Sequence, residues 1–207
     1  MFALNRRLVL LLTAAILVFG AGWSLLIGRL IDHGVPPKVE YLPPGPVPDF
    51  TLTESRGQPI TRADLLGKIW VADLMFTSCG NTCPMLSATM SSLDRGLGSQ
   101  DDVRLVSITV TPEFDKPEVL REYAERFHAS SKWLFLTGDR AQIVKLANDG
   151  FWLSAGTPGT VTHSDNFVLV DRQGKVRGFF DGTKSESLPR LREAIERLKR
   201  PQGVSNQ

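Results

Sequence analysis

Between residues 49 and 200, the spacing of hydrophobic residues alternates several times between a strand-like and a helix-like pattern. Nearly continuous or alternating apolar runs predict β-strands, whereas apolar residues spaced three and four apart predict amphipathic helices. The predicted strands are residues 50–53, 69–76, 103–110, 133–136, 167–170 and 175–180. The predicted helices carry apolar stripes within residues 86–97, 120–127, 143–147 and 188–198. This order predicts an α/β sandwich with a central mixed sheet and flanking helices.

A long uncharged stretch precedes this region. Residues 8–28 are strongly apolar, and as a helix they would span about 30 Å, the thickness of the hydrocarbon core of a bilayer. Arg6 and Arg7 come directly before the run, and cationic flanks stay in the cytoplasm. We therefore expect a single N-terminal transmembrane helix, with everything after Arg29 outside the cytoplasm. A cleavable signal peptide is the alternative, but its apolar core is usually shorter.

The segment boundaries follow from length and composition. The 207 residues suit one compact domain with accessory segments. Prolines are concentrated before residue 49, where they favour extended, polyproline-like backbone that suits a semi-rigid spacer. We expect a membrane anchor at residues 1–29, a spacer at 30–48, one folded domain at 49–200 and a disordered tail at 201–207.

The charge balance and the cysteine count narrow the function classes. The chain has 24 Lys and Arg against 22 Asp and Glu, a net charge of +2, without a basic patch interleaved with aromatic residues. These features argue against a nucleic-acid partner. A domain of this length buries a core without disulfide or metal staples, so its two cysteines are available for chemistry.

Both cysteines lie in one short segment, Cys79-Gly80-Asn81-Thr82-Cys83-Pro84, directly after the predicted strand at 69–76. Proline is best tolerated at the first position of a helix, so we expect a helix that begins at Pro84 with Cys83 as its cap. The amide groups and the dipole at that helix end would favour the Cys83 thiolate. A cysteine loop after the first central strand is the arrangement of a thioredoxin-like fold.

Three chemistries are open to two thiols at this spacing. A structural disulfide is the least favoured, because a bridge across three residues constrains little of the unfolded chain. Thiol–disulfide exchange is typical of the shorter Cys-x-x-Cys spacing, whereas the extra residue here leaves room for a metal ion between the sulfurs. In an oxidising compartment the pair will oxidise unless a reductant or a metal prevents it.

Asp73 is a carboxylate within an otherwise apolar predicted strand, six positions before Cys79. If it is buried, its pKa is raised and it could take a proton from a leaving sulfur, which would favour redox activity. An outward-facing, solvated Asp73 is equally compatible with the sequence. Thioredoxin-like oxidoreductases also carry a cis-proline before the later strand, where this chain has Ser164-Asp165-Asn166. That difference favours metal binding.

Several motifs together resemble those of the SCO/SenC proteins, which are membrane-anchored copper chaperones of cytochrome oxidase assembly. The motifs are Phe76-Thr77-Ser78-Cys79, Cys83-Pro84, the segment 112–120 and His163-Ser164. The resemblance covers the chain from about Pro48 to the last helix. It implies a copper site formed by Cys79, Cys83 and His163.

The residues themselves support part of this assignment. His163 lies just before the predicted strand at 167–170, and the loop that enters that strand faces the cysteine loop in thioredoxin-like folds. Two thiolates suit Cu(I), and an added imidazole lets the site accept Cu(II) as well. A lone histidine, however, is more often a surface residue than a ligand.

The resemblance also implies the partners and the location. The recipient of the copper would be the dinuclear copper centre of cytochrome c oxidase subunit II, and a thiol reductant or a copper donor protein would recharge the site. The protein would be a single-pass protein of the bacterial inner membrane, with its domain on the periplasmic side. Such a metallochaperone needs no catalytic turnover. The alternative function is a thiol–disulfide reductase that keeps the copper-binding cysteines of the recipient reduced by using Cys79 and Cys83.

Other candidate ligands receive a structural interpretation. His33 and His128 are expected to be surface residues, and Met85 is expected to fill the core or lie partly exposed rather than bind copper. Thr111 stands where many relatives have aspartate, which weakens any acidic contribution from that loop. Asp115 could supply that acidic group instead, but a carboxylate that caps the helix after it is the favoured interpretation.

Overall fold

The computed structural model describes residues 45–80, 82–98, 100–153 and 164–200, which belong to one compact unit. The predicted transmembrane helix, most of the spacer, the C-terminal tail and His163 lie outside these residues. Within the described part of the chain, no helix is both long and apolar enough to cross a membrane.

Seven strands and five α-helices make up the described domain. The strands are β1 (Thr51–Glu54), β2 (Pro59–Thr61), β3 (Ile69–Met75), β4 (Val103–Thr109), β5 (Trp133–Thr137), β6 (Asn166–Val170) and β7 (Val176–Asp181). The helices are α1 (Arg62–Leu65), α2 (Thr82–Leu97), α3 (Pro117–Arg126), α4 (Arg140–Lys145) and α5 (Ser187–Lys199). A π-helical turn, Leu146–Gly150, continues α4.

All seven strands form one mixed sheet in the order β2-β1-β5-β4-β3-β6-β7. β3, β4 and β5 are parallel, whereas β1 pairs antiparallel with β5 and β6 pairs antiparallel with β3. β3 is buried along its whole length, as its continuous apolar run predicts. The predicted α/β sandwich with a mixed sheet is therefore confirmed.

Side chains of β3 alternate between two core layers on opposite faces of the sheet. Trp70 faces the layer formed with α1, α4 and the π-helical turn, where its ring meets that of Phe151 edge-on, with centroids 5.9 Å apart. Met75 faces the other layer, which contains apolar residues of α2, α3 and α5 and also Cys83. The cysteine segment is thus part of the core on one face of the sheet.

Three local features differ from the sequence-based prediction. β2 and α1 were not expected, because segments of three and four residues are too short to show a hydrophobic period. The helix predicted around Ile143 and Ala147 ends as a π-helical turn. At the end of that turn, Gly150 packs so closely on the N-terminal segment that a Cβ atom there would lie 2.9 Å from Cδ of Pro48.

Candidate metal centre

The cysteine segment connects the end of β3 to the start of α2. The N–H group of Cys79 donates to the carbonyl oxygen of Phe76 at 3.3 Å, which turns the chain back toward the helix. α2 begins at Thr82, so Cys83 lies in the first turn, and its predicted role as the helix cap is wrong. Pro84 is tolerated as the third helical residue, because the first N–H groups of a helix have no acceptor within it.

The structure places the two thiols side by side in different environments. Neither cysteine forms a disulfide; Cys79 is partly exposed and Cys83 is fully buried. The N–H group of Cys83 donates to Sγ of Cys79 at 3.4 Å. A reacting partner therefore meets the sulfur of Cys79 first, and the sulfur of Cys83 lies behind it in the core.

Burial dominates the acidity of Cys83. Desolvation raises the pKa of this thiol to about 12, and a hydrogen bond with the backbone of Phe76 opposes this shift without reversing it. The prediction that the helix end activates the Cys83 thiolate is therefore wrong, because tertiary burial outweighs the local dipole. Cys83 must therefore lose a proton from a buried site before it binds copper or attacks a disulfide.

Asp115 holds the stem of the cysteine loop. Its Oδ1 accepts the hydroxyl of Thr77 at 2.5 Å, and its Oδ2 accepts the N–H group of Thr77 at 3.2 Å. The predicted capping role is wrong: the residue at the start of α3 is Lys116, and it makes no side-chain cap. Thr111 is buried and donates its hydroxyl to Asp115 at 2.9 Å.

Asp73 is buried within β3, which excludes the solvated alternative. Its Oδ1 accepts the hydroxyl of Ser107 at 2.6 Å, and that hydroxyl oxygen accepts Nε1–H of Trp133 at 2.9 Å. Oδ2 has no hydrogen-bond partner among the described residues. Burial raises the pKa of Asp73 to about 6, and a charge on Asp73 contributes to the raised pKa of Cys83. The carboxyl group is therefore electrostatically coupled to the buried thiol.

The third predicted ligand, His163, lies outside the described residues, but the strand after it is well placed. Phe167 in β6 belongs to the same core layer as Cys83 and Leu86. The N–H group of Gly182 donates to the carbonyl oxygen of Asp165 at 2.7 Å, which fixes the entry to β6. Among the described residues, no three His, Cys, Asp or Glu side chains are grouped to hold a metal ion. The structure thus brings together the two cysteines and leaves the histidine a prediction.

The remaining candidates behave as structural residues. Met90 is fully buried in the core, and Met85 is 45% exposed. His128 is exposed, as predicted, and has a left-handed backbone with φ of 52°. Trp133 is buried against Phe135, with ring centroids 4.8 Å apart.

Comparison with protein families gives one extended match. Residues 43–200 match the family model described as SCO1/SenC. A SCO1/SenC family lipoprotein from Bacillus anthracis has a solved structure with 34% sequence identity and a TM-score of 0.68. The alignment covers 75% of this chain and 96% of that one.

Two further solved structures carry chemical information in their descriptions. BsSco, a member of the Sco family of cytochrome c oxidase assembly proteins with a disulfide switch, has 30% identity and a TM-score of 0.68, covering 78% of this chain and 97% of its own. ScoI of Bradyrhizobium japonicum, solved with copper bound, has 25% identity and a TM-score of 0.61, covering 74% of this chain and 99% of its own. Each of these alignments covers about three quarters of this chain and nearly all of the neighbour.

Proposed function

This chain belongs to the SCO1/SenC family, and we propose that it is a membrane-anchored, extracytoplasmic copper-binding protein that takes part in cytochrome c oxidase assembly. The observation that carries the proposal is the pair of thiols in the cysteine loop and the first turn of α2, where the backbone nitrogen of Cys83 lies 3.4 Å from Sγ of Cys79. Two adjacent sulfurs, one accessible and one buried, suit a soft metal ion that must be both held and released. The copper-bound and oxidase-assembly relatives support this choice of metal and process.

Cys79, Cys83 and His163 are the proposed ligands. Thiolate sulfur favours Cu(I), and an imidazole nitrogen extends the site to Cu(II). Two observations support His163: β6 pairs with β3 along Val168 and Ala72, and Phe167 packs in the layer of Cys83. The start of β6 therefore lies beside the end of β3 from which the cysteine loop starts.

The different exposure of the two sulfurs suggests an order of transfer. Copper is the cargo, and an incoming ligand of the recipient can replace Cys79 first, because Cys79 is the accessible sulfur. Cys83 is released last and regains its proton in the core. One donor is exchanged at a time, so the ion does not leave as a free species.

The recipient that we propose is the dinuclear copper centre of cytochrome c oxidase subunit II, with a thiol reductant or a copper donor protein acting upstream. The apolar run at residues 8–28 supports a membrane anchor that keeps the domain on the periplasmic side. Protease protection in spheroplasts tests the location: external protease should remove the domain and leave the anchor. Protection of the domain in intact spheroplasts would contradict this orientation.

Anaerobic copper titration of the full-length chain tests the ligand set. The reduced parent should bind one Cu(I) per chain in competition with a chelator. His163→Ala should lower the affinity and change the Cu(II) absorption spectrum, whereas His128→Ala, a matched change of an exposed histidine, should do neither. Unchanged copper binding in His163→Ala would refute the three-ligand site, and unchanged copper binding in Cys79→Ser would refute the metal site itself.

Thiol–disulfide exchange is the second candidate function, favoured by buried Asp73 near Cys83 and by the disulfide switch of BsSco. The Cys79 thiolate would attack a recipient disulfide and form a mixed disulfide. Cys83 would then displace the second recipient sulfur, leaving the recipient as a dithiol and this chain with a Cys79–Cys83 disulfide that a dithiol reductant must reopen. Reduction of a recipient peptide that persists in His163→Ala and is lost in Cys79→Ser would establish this activity.

A further inference from the structure

Asp115 is a buried carboxylate that accepts four hydrogen bonds, two from the loop after β3 and two from the end of β4 and the loop that follows it. Besides the hydroxyl and N–H groups of Thr77, it accepts the hydroxyl of Thr109 at 2.5 Å and that of Thr111 at 2.9 Å. The residue is 2% exposed, and no described cationic side chain forms an ion pair with it. Four hydrogen bonds converge on this one side chain, so Asp115 connects the end of β4 to the cysteine loop.

The hydrogen bonds of Asp115 support the segment of Cys79 and not that of Cys83. Thr77 lies two residues before Cys79, in the stem that leaves β3. Cys83 needs no such support, because it belongs to α2 and is fully buried in the core. The position of the Cys79 sulfur relative to Cys83 therefore depends on how firmly the stem is held.

We propose that Asp115 is a positioning residue of the metal site, which acts through Thr77 to fix Cys79 against Cys83 and thereby sets the copper affinity of the pair. This inference rests on the copper-binding function proposed above. A ligand pair that is held in place before the metal arrives loses less conformational entropy on binding. Removing residues that orient metal ligands through hydrogen bonds commonly lowers metal affinity by about 10–100-fold.

Asp115→Asn is the most informative substitution, because it keeps the size of the side chain. An amide has one oxygen that can accept hydrogen bonds, and its NH₂ group only donates. Whichever way the amide is oriented, its NH₂ group replaces either Oδ1 or Oδ2 of Asp115. The donors that bonded to the replaced oxygen then face a group that cannot accept a hydrogen bond. The stem should loosen without loss of the fold.

The matched control is Asp94→Asn. Asp94 in α2 is also a buried carboxylate, and it accepts the N–H and hydroxyl groups of Ser130 at 2.8 and 2.7 Å. It ties α2 to the loop after α3 and has no bond to the cysteine segment. With the full-length chain in detergent, Asp115→Asn should lower Cu(I) affinity about 10–100-fold in a chelator competition, whereas Asp94→Asn should leave it within about threefold.

A metal-free measurement separates positioning from general destabilisation. In hydrogen–deuterium exchange of the reduced protein, Asp115→Asn should accelerate exchange in residues 77–83, including the Cys83 N–H group that donates to Cys79. Asp94→Asn should accelerate exchange near Ser130 instead. Equal copper affinities for parent and Asp115→Asn, or equal losses in both variants, would overturn the inference.

Thr77→Val provides a second test if Asp115→Asn folds poorly. Valine keeps the branched shape of Thr77 and removes only the hydroxyl that Asp115 accepts. It should lower copper affinity in the same direction by a smaller factor, and an unchanged affinity would count against the inference. A parent chain that fails to bind copper would refute the proposed function, while the exchange measurement would still decide whether Asp115 holds the loop.

Discussion

Sγ of Cys79 accepts the N–H group of Cys83, yet the two side chains differ in access: Cys79 is partly exposed and Cys83 is fully buried. Burial raises the pKa of Cys83 to about 12, so its thiolate is scarce in the metal-free protein at neutral pH. The first chemical step at this pair therefore belongs to Cys79.

Alkylation kinetics check this order. In the reduced, metal-free chain at pH 7.5, iodoacetamide should modify Cys79 at least ten times faster than Cys83, because only an accessible thiolate reacts. Mass spectrometry of the digested protein measures both sites. Cys83→Ser should retain the fast phase and Cys79→Ser should lose it. Comparable rates at the two cysteines in the parent would contradict the assignment.

The raised pKa of Asp73 predicts how stability depends on pH. Burial lifts this pKa from 3.8 to about 6, so the folded state favours the protonated carboxyl. The stabilising contribution is complete below about pH 4 and is lost as the pH rises through 6, a loss of about 3 kcal/mol at 1.4 kcal/mol per pKa unit. Asp73→Asn removes this loss and should be more stable than the parent at pH 8 and about equal at pH 4. Urea denaturation at both pH values measures the difference, and a variant that is less stable at pH 8 would refute the prediction.

Gly182 lies where β7 ends against α2 and β6. A Cβ atom there would come within 2.3 Å of Cδ2 of Leu86 and 2.8 Å of Cε2 of Phe167, both fully buried. Gly182→Ala should therefore lower the free energy of unfolding by about 1–3 kcal/mol through overpacking. Gly45→Ala is the control, because a Cβ atom at Gly45 meets no atom within 4 Å. Urea midpoints that shift equally for both variants would show that crowding is not the cause.

His128 ends α3 in a left-handed conformation, with φ of 52°. Its N–H group donates to the carbonyl oxygen of Glu125, and the next N–H group, that of Ala129, reaches back to Ala124. Glycine adopts this conformation without steric cost, so His128→Gly should raise stability by about 0.5–1 kcal/mol. His128→Val, which is β-branched, should lower it. Thermal unfolding compares the variants, and a loss of stability in His128→Gly would be inconsistent with strain at this position.

Two ion pairs of the domain should differ in their contribution to stability. Arg140 makes two hydrogen bonds to Glu113, which lower the pKa of Glu113 to about 2, but both side chains are substantially exposed. Arg140→Ala should therefore cost less than about 1 kcal/mol. Arg177→Ala should cost more, about 1–3 kcal/mol, because it leaves the buried carboxylate of Asp171 without its cation. Urea denaturation in low and high salt distinguishes them, and equal costs would contradict the role of burial.

The sequence predicted most of the architecture because its main signals are local. The apolar run of β3 and the stripe through Leu86 and Met90 in α2 report burial directly, and the motifs around Cys79 and Cys83 led to a family resemblance that the family match confirms. The role of Asp115 was not predictable in this way. Its donors come from Thr77 in the loop after β3 and from two threonines at the end of β4 and just after it, and only tertiary structure brings them together.

The acidity of Cys83 also could not be predicted from local sequence. A helix end is a local feature that favours a thiolate, whereas the core layer that surrounds this thiol is assembled from strands and helices far away in the sequence. The assignment of His163 stays a prediction. Its support is the position of β6, and the copper titration decides it.

The pairing of β3 with β6 joins distant parts of the chain. Cys79 and His163 are 84 positions apart in the sequence, and the β3–β6 strand pair closes a long loop. Long-range strand pairing is slow compared with helix formation, so α2, which carries Cys83, can form before β6 has docked. In the three-ligand site proposed here, an ion captured at that early stage would lack the imidazole. Loading of that site would therefore follow completion of the sheet, which would make folding a checkpoint that precedes cargo capture.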